Sequence, residues 1–204
     1  MKKLFLTTLA LCCVAFVSCG KKGAESQAES KSEMQTKVEE FATVRLSANL
    51  DKLSAKEKEL VGVFLDIAQI MDDLYWLQAY GNKADMDTIS DKFTKEFAMI
   101  NYGPWERLND MKPFVNGFGE KPLGANFYPK DMTKEEFDAL KDKNKSSLYT
   151  VLRRDESGKL VVKWYREEYK EQIDKVCELL DKAIGLAEDA GLKKYLQAGK
   201  KAFQ

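Results

Sequence analysis

The sequence predicts a mainly α-helical protein: an irregular helical array with one small β-hairpin and one long, ordered loop. Three observations carry this prediction. Apolar side chains recur at steps of three and four residues along several segments, which is the spacing of one helical face. Two capping boxes, Ser54 with Glu57 and Thr133 with Glu136, mark helix starts. All four prolines of the chain fall within residues 101–132, together with four glycines and six aromatic residues.

The strongest predicted helix spans about Ala55–Tyr80. Its apolar face comprises Leu60, Phe64, Ile67, Met71, Leu74 and Leu77. Gly81 ends the helix, because glycine adopts the left-handed conformation after a helix without steric cost. A short helix is predicted before it, over Thr36–Ala48, and a second amphipathic helix after it, over Asp85–Ile100.

The second half of the chain predicts further helices around one hairpin. A helix runs from the capping box at Thr133 to about residue 142. Residues 147–154 and 159–163 are β-prone and are joined by a turn that ends in Gly158. A long helix follows from Trp164 to near Gly191. The last helix begins at Leu192 and reaches the final residue without a capping residue, so we expect a helix that has been cut.

Residues 101–132 predict an ordered loop. Proline and glycine at this density exclude regular structure. A disordered linker would not contain six aromatic residues, because each of them gains free energy by burial. Irregular segments of about 30 residues are rare in compact domains and are usually functional or packed on another surface. Two roles stay open for the loop: an apolar-lined binding surface, or a cap over the helical core.

The first residues have the pattern of a bacterial export signal. Lys2 and Lys3 precede an apolar run of 14 residues, which is shorter than the about 20 residues that span a bilayer. The run leads to Cys19 and resembles a lipoprotein box, in which the cysteine is lipidated, although Phe16 stands where leucine is usual. An ordinary cleaved signal with an incidental cysteine is the alternative.

This pattern divides the chain into three parts. Residues 1–18 are expected to be a lipoprotein signal peptide and residues 19–35 a flexible tether, because the latter are small, polar and poor in large apolar side chains. Residues 36–204 are expected to form the helical domain. Lipid on Cys19 would anchor the protein to the bacterial envelope, at the outer membrane or the periplasmic face.

Composition excludes several classes of function. Cys177 is the only cysteine beyond the lipoprotein box, so the domain has neither a disulfide framework nor a cysteine metal cage, and a buried, inert thiol is expected. The whole chain carries 33 basic and 33 acidic residues, and without residues 1–18 the counts are 31 and 33, a net charge of −2. Nucleic acid is not expected as a partner, because it requires a clustered basic face.

The chain contains no histidine. It therefore cannot build a histidine-held zinc centre, a Ser-His-Asp triad or a Cys-His dyad by itself. Asp72 and Asp73 are adjacent on a predicted helix, where neighbouring side chains point about 100° apart, so solvated or capping groups are favoured over a paired carboxylate site. We predict no catalytic residue and no metal-binding residue in this chain.

Two stretches carry a family resemblance. They are residues 101–108 (NYGPWERL) and residues 121–137 (KPLGANFYPKDMTKEEF). They resemble the dipeptidyl-peptidase III family of zinc exopeptidases, in particular its bacterial branch and the related domain of plant Nudix-fused proteins. The block GANFYP-x-DM-x-K-x-EF is long and specific, residues 146–158 (SSLYTVLRRDESG) also fit, and the likeness covers roughly residues 38–203. The lipoprotein start suits secreted copies from Bacteroides-like bacteria.

The resemblance implies a piece of a larger enzyme. Family members are longer and bilobal, bind zinc through two histidines of an HExxxH-type helix and a downstream glutamate, and release dipeptides from peptide N-termini. That motif is absent here, so no catalytic or metal residue carries over, and zinc is expected in the full-length family but not in this chain. The resemblance implies the N-terminal, non-catalytic portion of such a lipoprotein, which would meet peptide substrate only together with the missing catalytic part.

Within this interpretation, five residues of the loop are candidate contacts with peptide or with the other lobe: Tyr102, Trp105, Arg107, Asn126 and Tyr128. A buried scaffold role for the same residues stays open. Two other functions also stay open. One is a stand-alone periplasmic binding or interaction lipoprotein that lost the catalytic part. The other is an unrelated histidine-free enzyme that uses Asp/Glu pairs, for which no distinctive spacing is present.

Overall fold

The computed structural model describes residues 31–204. The predicted signal peptide, the lipidation site Cys19 and most of the predicted tether lie outside the described residues, and these expectations stay predictions. The described part is mainly helical with two small antiparallel strand pairs, which confirms the predicted fold class. No helix in residues 31–204 combines the length and the apolar character that crossing a membrane requires.

The helices in chain order are α1 (Glu33–Glu39), α2 (Ala55–Ala79), α3 (Lys92–Asn101), α4 (Lys134–Ala139), α5 (Tyr165–Glu168), α6 (Lys170–Leu186) and α7 (Ala190–Phe203). Two short 3₁₀ helices span Lys83–Thr88 and Ala125–Phe127. The strands are β1 (Trp105–Glu106), β2 (Lys112–Pro113), β3 (Thr150–Arg154) and β4 (Leu160–Trp164).

Helix α2 is the central element of the fold. Ser54 Oγ accepts from the Glu57 backbone N–H at 3.2 Å, and Glu57 Oε2 accepts from the Ser54 backbone N–H at 2.7 Å, so the predicted capping box is formed. One side of α2 packs against α6 and α7. The buried residues of this core are Leu60, Val63, Val176, Leu180, Ala183, Ala187 and Leu196.

Two further clusters continue the core along α2. The first joins α2 to the hairpin and α6 through Leu74, Val151, Tyr169, Ile173 and Cys177. Burial raises the pKa of the Cys177 thiol, in keeping with the expected inert side chain. The second joins α2 to α3 and the loop through Trp76, Met86 and Ala98.

The predicted hairpin is present. Strands β3 and β4 pair antiparallel, with Thr150 opposite Trp164 and Arg154 opposite Leu160. The turn is held by Asp155 Oδ1, which accepts from the backbone N–H groups of Ser157 and Lys159, both at 2.9 Å. Gly158 has φ +79°, the left-handed conformation that glycine adopts without strain. The smaller β1–β2 pair lies inside the loop and was not predicted.

The first predicted helix was placed wrongly. Helix α1 begins at Glu33, inside the predicted tether, because Ser32 Oγ accepts from the Gln35 backbone N–H at 3.1 Å and caps it there. It ends at Glu39, well before Ala48. Val44 and Leu46, which lie within the predicted helix, are 70 % and 91 % exposed, so no packing supports a longer helix.

Two other helix boundaries also differ from the prediction. The predicted helix Asp85–Ile100 is a 3₁₀ helix followed by α3, because Asp91 Oδ2 accepts from the Thr94 backbone N–H at 2.7 Å and starts a new helix. The long helix after Trp164 is divided at Tyr169 and ends at Leu186. Gly191 is therefore not its stop but lies in the first turn of α7, which Asp189 caps.

Candidate functional site

The loop that follows α3 is ordered, as predicted, and Asn101 starts it. This buried residue donates through Nδ2–H to the Phe97 carbonyl oxygen at 2.9 Å. Its Oδ1 accepts from the Arg107 backbone N–H at 2.9 Å, and its carbonyl oxygen accepts from Arg107 Nε–H at 2.6 Å. One asparagine therefore ties the end of α3 to residue 107 and folds the intervening residues back on the helix.

The loop also contains strained backbone. Among residues 31–204 the non-glycine residues with positive φ are Tyr102, Asp110, Met111 and Ala125, with φ between 49° and 57°. A side chain in this region costs free energy, and such residues persist where the surrounding structure imposes them, often at functional sites. All four lie within residues 101–132, so the strain is confined to the segment that sequence reasoning selected.

Arg107 and Tyr102 meet on the outer face of α2. The guanidinium carbon lies 5.2 Å from the ring centroid of Tyr75 and 5.4 Å from that of Tyr102, and the two rings contact edge to face at 4.7 Å. Arg107 Nη1–H donates to the Tyr75 hydroxyl. The result is an arginine held against two tyrosine rings, half-buried and open to solvent on one side.

Asp72 completes this cluster. The Tyr102 hydroxyl donates to Asp72 Oδ1 at 2.6 Å, and this hydrogen bond, followed by burial, raises the pKa of Tyr102. Lys83 Nζ lies 3.8 Å from Asp72 Oδ2. Asp73 is exposed, as expected, whereas Asp72 is half-buried and engaged in this contact. Lys83 Nζ also lies 3.9 Å from Asp73 Oδ1, so the two carboxylates share this lysine and differ in their exposure and in the contact with Tyr102.

Trp105 is a buried part of the loop. It is 6 % exposed, and its Nε1–H donates to the Gly119 carbonyl oxygen at 2.9 Å. Its ring packs against Tyr80 with centroids 5.7 Å apart, and Lys121 Nζ lies 5.9 Å from the ring centroid. These contacts hold the two arms of the loop together. Trp105 thus anchors the loop two residues before Arg107.

Asn126 and Tyr128 lie elsewhere. Asn126 Nδ2–H donates to the Leu77 carbonyl oxygen on α2 at 2.6 Å, and the Asn126 carbonyl oxygen accepts from Arg153 Nη1–H at 3.1 Å. Asn126 therefore links the loop to α2 and to the hairpin. Tyr128 is half-buried, with its ring edge to face with Phe137 at 6.3 Å.

Two surface cavities flank these residues. The first, of about 650 Å³, is mostly apolar and is lined by Met71, Leu74, Tyr75, Gln78, Leu148, Tyr149, Trp164, Tyr165, Arg166, Tyr169, Ile173, Ala202, Phe203 and Gln204. The second, of about 970 Å³, is bounded by residues 110–113, 120–125 and 147–148 with Phe127, Tyr128, Thr150 and Tyr165. Leu148 and Tyr165 line both cavities. Leu148 and Tyr149 are 84 % and 68 % exposed, so the walls present apolar side chains to solvent.

The structure thus brings together only part of the predicted set. Tyr102, Trp105 and Arg107 are neighbours, Tyr128 lines the second cavity, and Asn126 is a link within the fold. A ligand contact by any of the five residues stays a prediction. Sequence reasoning did not select Tyr75 or Lys121, and it weighed Asp72 only as half of a carboxylate pair with Asp73. Asp72, Tyr75 and Trp76 recur at helical spacing and form a second face of α2, which a search for more than one face would have found. Lys121 opens the block of residues 121–137 that carries the family resemblance, but nothing in that block distinguished it from its neighbours.

Zinc, which the resemblance implies for the full-length family, does not fit the residues described. Zinc sites in proteins use histidine, cysteine and carboxylate donors held close together. Residues 31–204 contain no histidine, and no group of three or more Cys, Asp or Glu side chains there is arranged to hold a metal ion. No chemical step is therefore assigned to a metal within this part of the chain.

Two solved structures share this fold, and one further relative is similar in sequence. The structure of DPP III from Caldithrix abyssi is 36 % identical with a TM-score of 0.74, over 81 % of this chain and 34 % of that one. The structure of dipeptidyl-peptidase III from Corallococcus sp. strain EGB is 30 % identical, also with a TM-score of 0.74, over 83 % of this chain and 34 % of that one. Nudix hydrolase 3 of Arabidopsis thaliana is 26 % identical over 83 % of this chain and 30 % of its own length.

No family model matches the chain. The chain spans about a third of the length of the relatives it matches. Identity of 30–36 % together with that TM-score shows the fold of the matched region. Over this part of its relatives, the chain has a dipeptidyl-peptidase III-like fold.

Proposed function

We propose that this chain is the N-terminal, non-catalytic portion of a dipeptidyl-peptidase III-like zinc metallopeptidase, exported and anchored by lipid on Cys19. The observation that carries the proposal is the unequal coverage of the structural match. More than four fifths of this chain superposes on only 34 % of each dipeptidyl-peptidase III structure. The longer protein would release dipeptides from peptide N-termini, and its zinc site would lie in the remaining part.

The surface of the chain supports this proposal. The apolar cavity walls around Leu148 and Tyr149 are exposed, and exposed apolar patches of this kind mark interaction surfaces. In the longer protein, these walls would pack against the rest of the polypeptide or border the substrate cleft. Tyr102, Arg107 and Tyr128 lie at or near this surface and would supply contacts, while Trp105 and Asn126 would hold the loop in place.

A second candidate function is a stand-alone periplasmic binding lipoprotein. It is favoured by the internal packing of residues 32–204, in which three buried clusters run along α2 and form a core without any other chain. In that case the two cavities would be the binding surface of the finished protein. The next experiment separates the two candidates.

The test begins with the reading frame downstream of the codon for Gln204. A continuing frame that encodes the histidine zinc helix supports the proposal, whereas an immediate stop in the native gene favours the stand-alone lipoprotein. The purified chain is then assayed with a dipeptidyl arylamide, and its zinc content is measured by mass spectrometry, with the Caldithrix abyssi enzyme as positive control. We expect neither turnover nor stoichiometric zinc, and either one would overturn the proposal.

The lipid anchor is tested separately. Mass spectrometry of the protein from a bacterial envelope should show diacylglycerol on Cys19, and the Cys19→Ser variant should leave the membrane fraction. Cys13→Ser, which alters a cysteine within the predicted signal peptide, should have no such effect and serves as the control. A Cys19→Ser protein that stays in the membrane fraction would refute the lipid anchor. It would leave unchanged the proposal that the chain is the N-terminal portion of a longer peptidase.

A further inference from the structure

Residues 42–50, which connect α1 to α2, have the pattern of a β-strand without a partner strand. Their sequence, ATVRLSANL, alternates apolar and polar side chains, contains neither glycine nor proline, and carries a single charge. In the structure these residues contain no helix, turn or bend, and all of them are exposed. The apolar positions are Ala42, Val44, Leu46, Ala48 and Leu50, and the polar positions between them are Thr43, Arg45, Ser47 and Asn49.

The backbone of this segment is unpaired. Within the part of the chain that the structure describes, no hydrogen bond involves the backbone N–H or C=O groups of residues 42–49. The unpaired stretch has defined limits: the Phe41 N–H donates to the Val38 carbonyl oxygen, and the Leu50 carbonyl oxygen accepts from the Leu53 N–H, both at 3.1 Å. An exposed chain with free N–H and C=O groups is a template on which another strand can pair.

Both ends of the segment are held by the fold. At the first end, the Phe41 ring meets the ring of Phe97 on α3 edge to face, with centroids 6.0 Å apart. At the second end, Asn49 Oδ1 accepts from the Asp51 backbone N–H at 2.8 Å and begins a turn, and Ser54 then caps α2. Because both ends are fixed, the segment loses less conformational entropy on pairing than a free peptide would.

The positions of the two ends favour an extended chain over a helix. Phe97, which contacts Phe41, precedes Ala98, and Ala98 packs in one cluster with Trp76 near the C-terminal end of α2. Ser54 caps the opposite end of α2, about 33 Å from Trp76 along the helix axis. Residues 42–53 would advance only about 18 Å as a helix but about 40 Å as a strand. The connection therefore crosses this distance as extended chain.

We propose that residues 42–50 pair with the edge of a β-sheet in the remaining part of the longer protein. The alternation suits a sheet with one buried and one solvated face, so Val44 and Leu46 face the interior and Arg45 faces solvent. This inference rests on the proposed function. The chain covers 34 % of each dipeptidyl-peptidase III structure, so most of such a protein is available to supply the partner. A strand of the same polypeptide also pairs at a higher effective concentration than a separate molecule.

Amide hydrogen exchange of the isolated chain and of the longer protein tests the pairing. In the isolated chain, we expect residues 42–49 to exchange at nearly the rate of an unstructured peptide. In the longer protein, every second amide of the segment should exchange about a hundredfold more slowly or less, because a strand paired along one edge uses alternate N–H groups. Fast exchange of all these amides in the longer protein would overturn the proposal.

Two variants test which face is buried. Leu46→Asp places a charge on the apolar face, and its control Ser47→Asp places the same charge on the polar face. Both residues are exposed in the isolated chain, so neither variant should change its melting temperature. In the longer protein, Leu46→Asp should lower the melting temperature by about 3–5 °C, because the charge is buried without a partner, and Ser47→Asp should not. Equal effects would refute the assignment of faces. Leu46→Ala with Ser47→Ala keeps the comparison if Leu46→Asp does not fold.

A second copy of the chain is the alternative partner. We expect the isolated chain to sediment as a monomer; a dimer whose formation slows alternate amides of residues 42–50 would refute the internal partner. Zinc content and dipeptide release are measured on the same preparation of the longer protein. An active zinc enzyme in which residues 42–50 exchange freely would refute the pairing and leave the proposed function intact. A native gene that ends at the codon for Gln204 would refute both.

Discussion

At residue 124 both the backbone and a neighbouring ring require glycine. Gly124 has φ +76°, and a Cβ built on it would lie 2.3 Å from Cδ2 of Tyr128, closer than non-bonded atoms approach. Gly117, in the same loop, has φ +91° but would meet nothing within 4 Å. Both glycines therefore have a positive φ, but only at residue 124 would an added Cβ collide with a neighbouring side chain. Gly124 fixes where the Tyr128 ring can lie, and with it one wall of the second cavity.

Replacing Gly124 with alanine should destabilise the chain more than the same change at Gly117. We expect a loss of about 1 kcal/mol for Gly117→Ala, from the left-handed backbone alone. Gly124→Ala should cost about 2–3 kcal/mol, because the Tyr128 ring must also move. Urea unfolding measures both. Equal losses of stability in Gly117→Ala and Gly124→Ala would show that the contact with the Tyr128 ring contributes nothing to the difference. When Tyr128 is also replaced by alanine, the two glycine substitutions should cost the same free energy.

At the scale of elements, one ion pair ties α1 to the loop. Lys37 Nζ lies 2.9 Å and 2.8 Å from the two carboxylate oxygens of Glu106, and the Phe41 and Phe97 rings meet at 6.0 Å. The hydrogen bond from Lys37 lowers the pKa of Glu106, and the same bond raises the pKa of Lys37. Helix α1 has no buried residue, so this contact is a main reason for its position.

The Glu106 pair should make stability depend on pH. A carboxyl group whose pKa is lowered by folding stabilises the protein above its unfolded-state pKa, about 4.3, and loses that stabilisation as pH falls through its folded-state pKa. Glu106→Gln should therefore cost about 1 kcal/mol at pH 7 and progressively less below pH 4. Folding raises the pKa of Lys37, so Lys37 stabilises the fold fully below its unfolded-state pKa of about 10.4 and loses this stabilisation as pH rises through its folded-state pKa.

The measurement is urea unfolding of the wild type and of Glu106→Gln between pH 3 and pH 7. Glu135→Gln, an exposed carboxylate on α4, is the control and should show no such dependence. A difference between wild type and Glu106→Gln that stays constant across this range would contradict the assignment. Faster hydrogen exchange in α1 of the variant would place the loss in that helix.

How far the sequence predicts these elements depends on how local their causes are. Helix α2 and the β3–β4 hairpin were predicted correctly because a capping box, a periodic apolar face and a turn with Gly158 lie within their own segments. The position of α1 depends in part on Glu106, 69 positions away. The starts of α1 and α3 have local causes, the caps Ser32 and Asp91, but each is a single residue without the second half of a capping box and was not recognised. Arg107 in the loop was selected by its motif, yet its partner Tyr75 lies on α2, and local patterns do not reveal a contact between such distant segments.

At the scale of the whole molecule, apolar side chains are distributed unevenly over the surface. Leu148 and Tyr149 project from the segment before β3 and line the first cavity, where they are 84 % and 68 % exposed. Tyr195 on α7 is 74 % exposed but lines neither cavity. The three residues contribute little to the internal core. Because exposed apolar side chains lower solubility, their presence on the surface requires an explanation other than the stability of the fold. Under the proposed function, Leu148 and Tyr149 contact the rest of the longer protein.

The double change Leu148→Ser and Tyr149→Ser should therefore leave the isolated chain as stable as before, within about 0.5 kcal/mol. In the longer protein, where the two side chains would be buried, it should lower the melting temperature by about 1 °C for each kcal/mol by which it destabilises the fold. Tyr195→Ser is the control and should change neither. Calorimetry of both forms measures the effect. A destabilisation that appears equally in the isolated chain would show that these side chains support the fold itself.

The left-handed residues of the loop restrict how its surface can be reproduced. Four non-glycine residues between positions 102 and 125 hold a conformation that a free peptide rarely visits. A synthetic peptide with the sequence of residues 101–132 would therefore adopt a different conformation from the loop in the folded protein. Antibodies or inhibitors selected against such a copy would miss the native protein, so screening has to begin from the intact, folded domain.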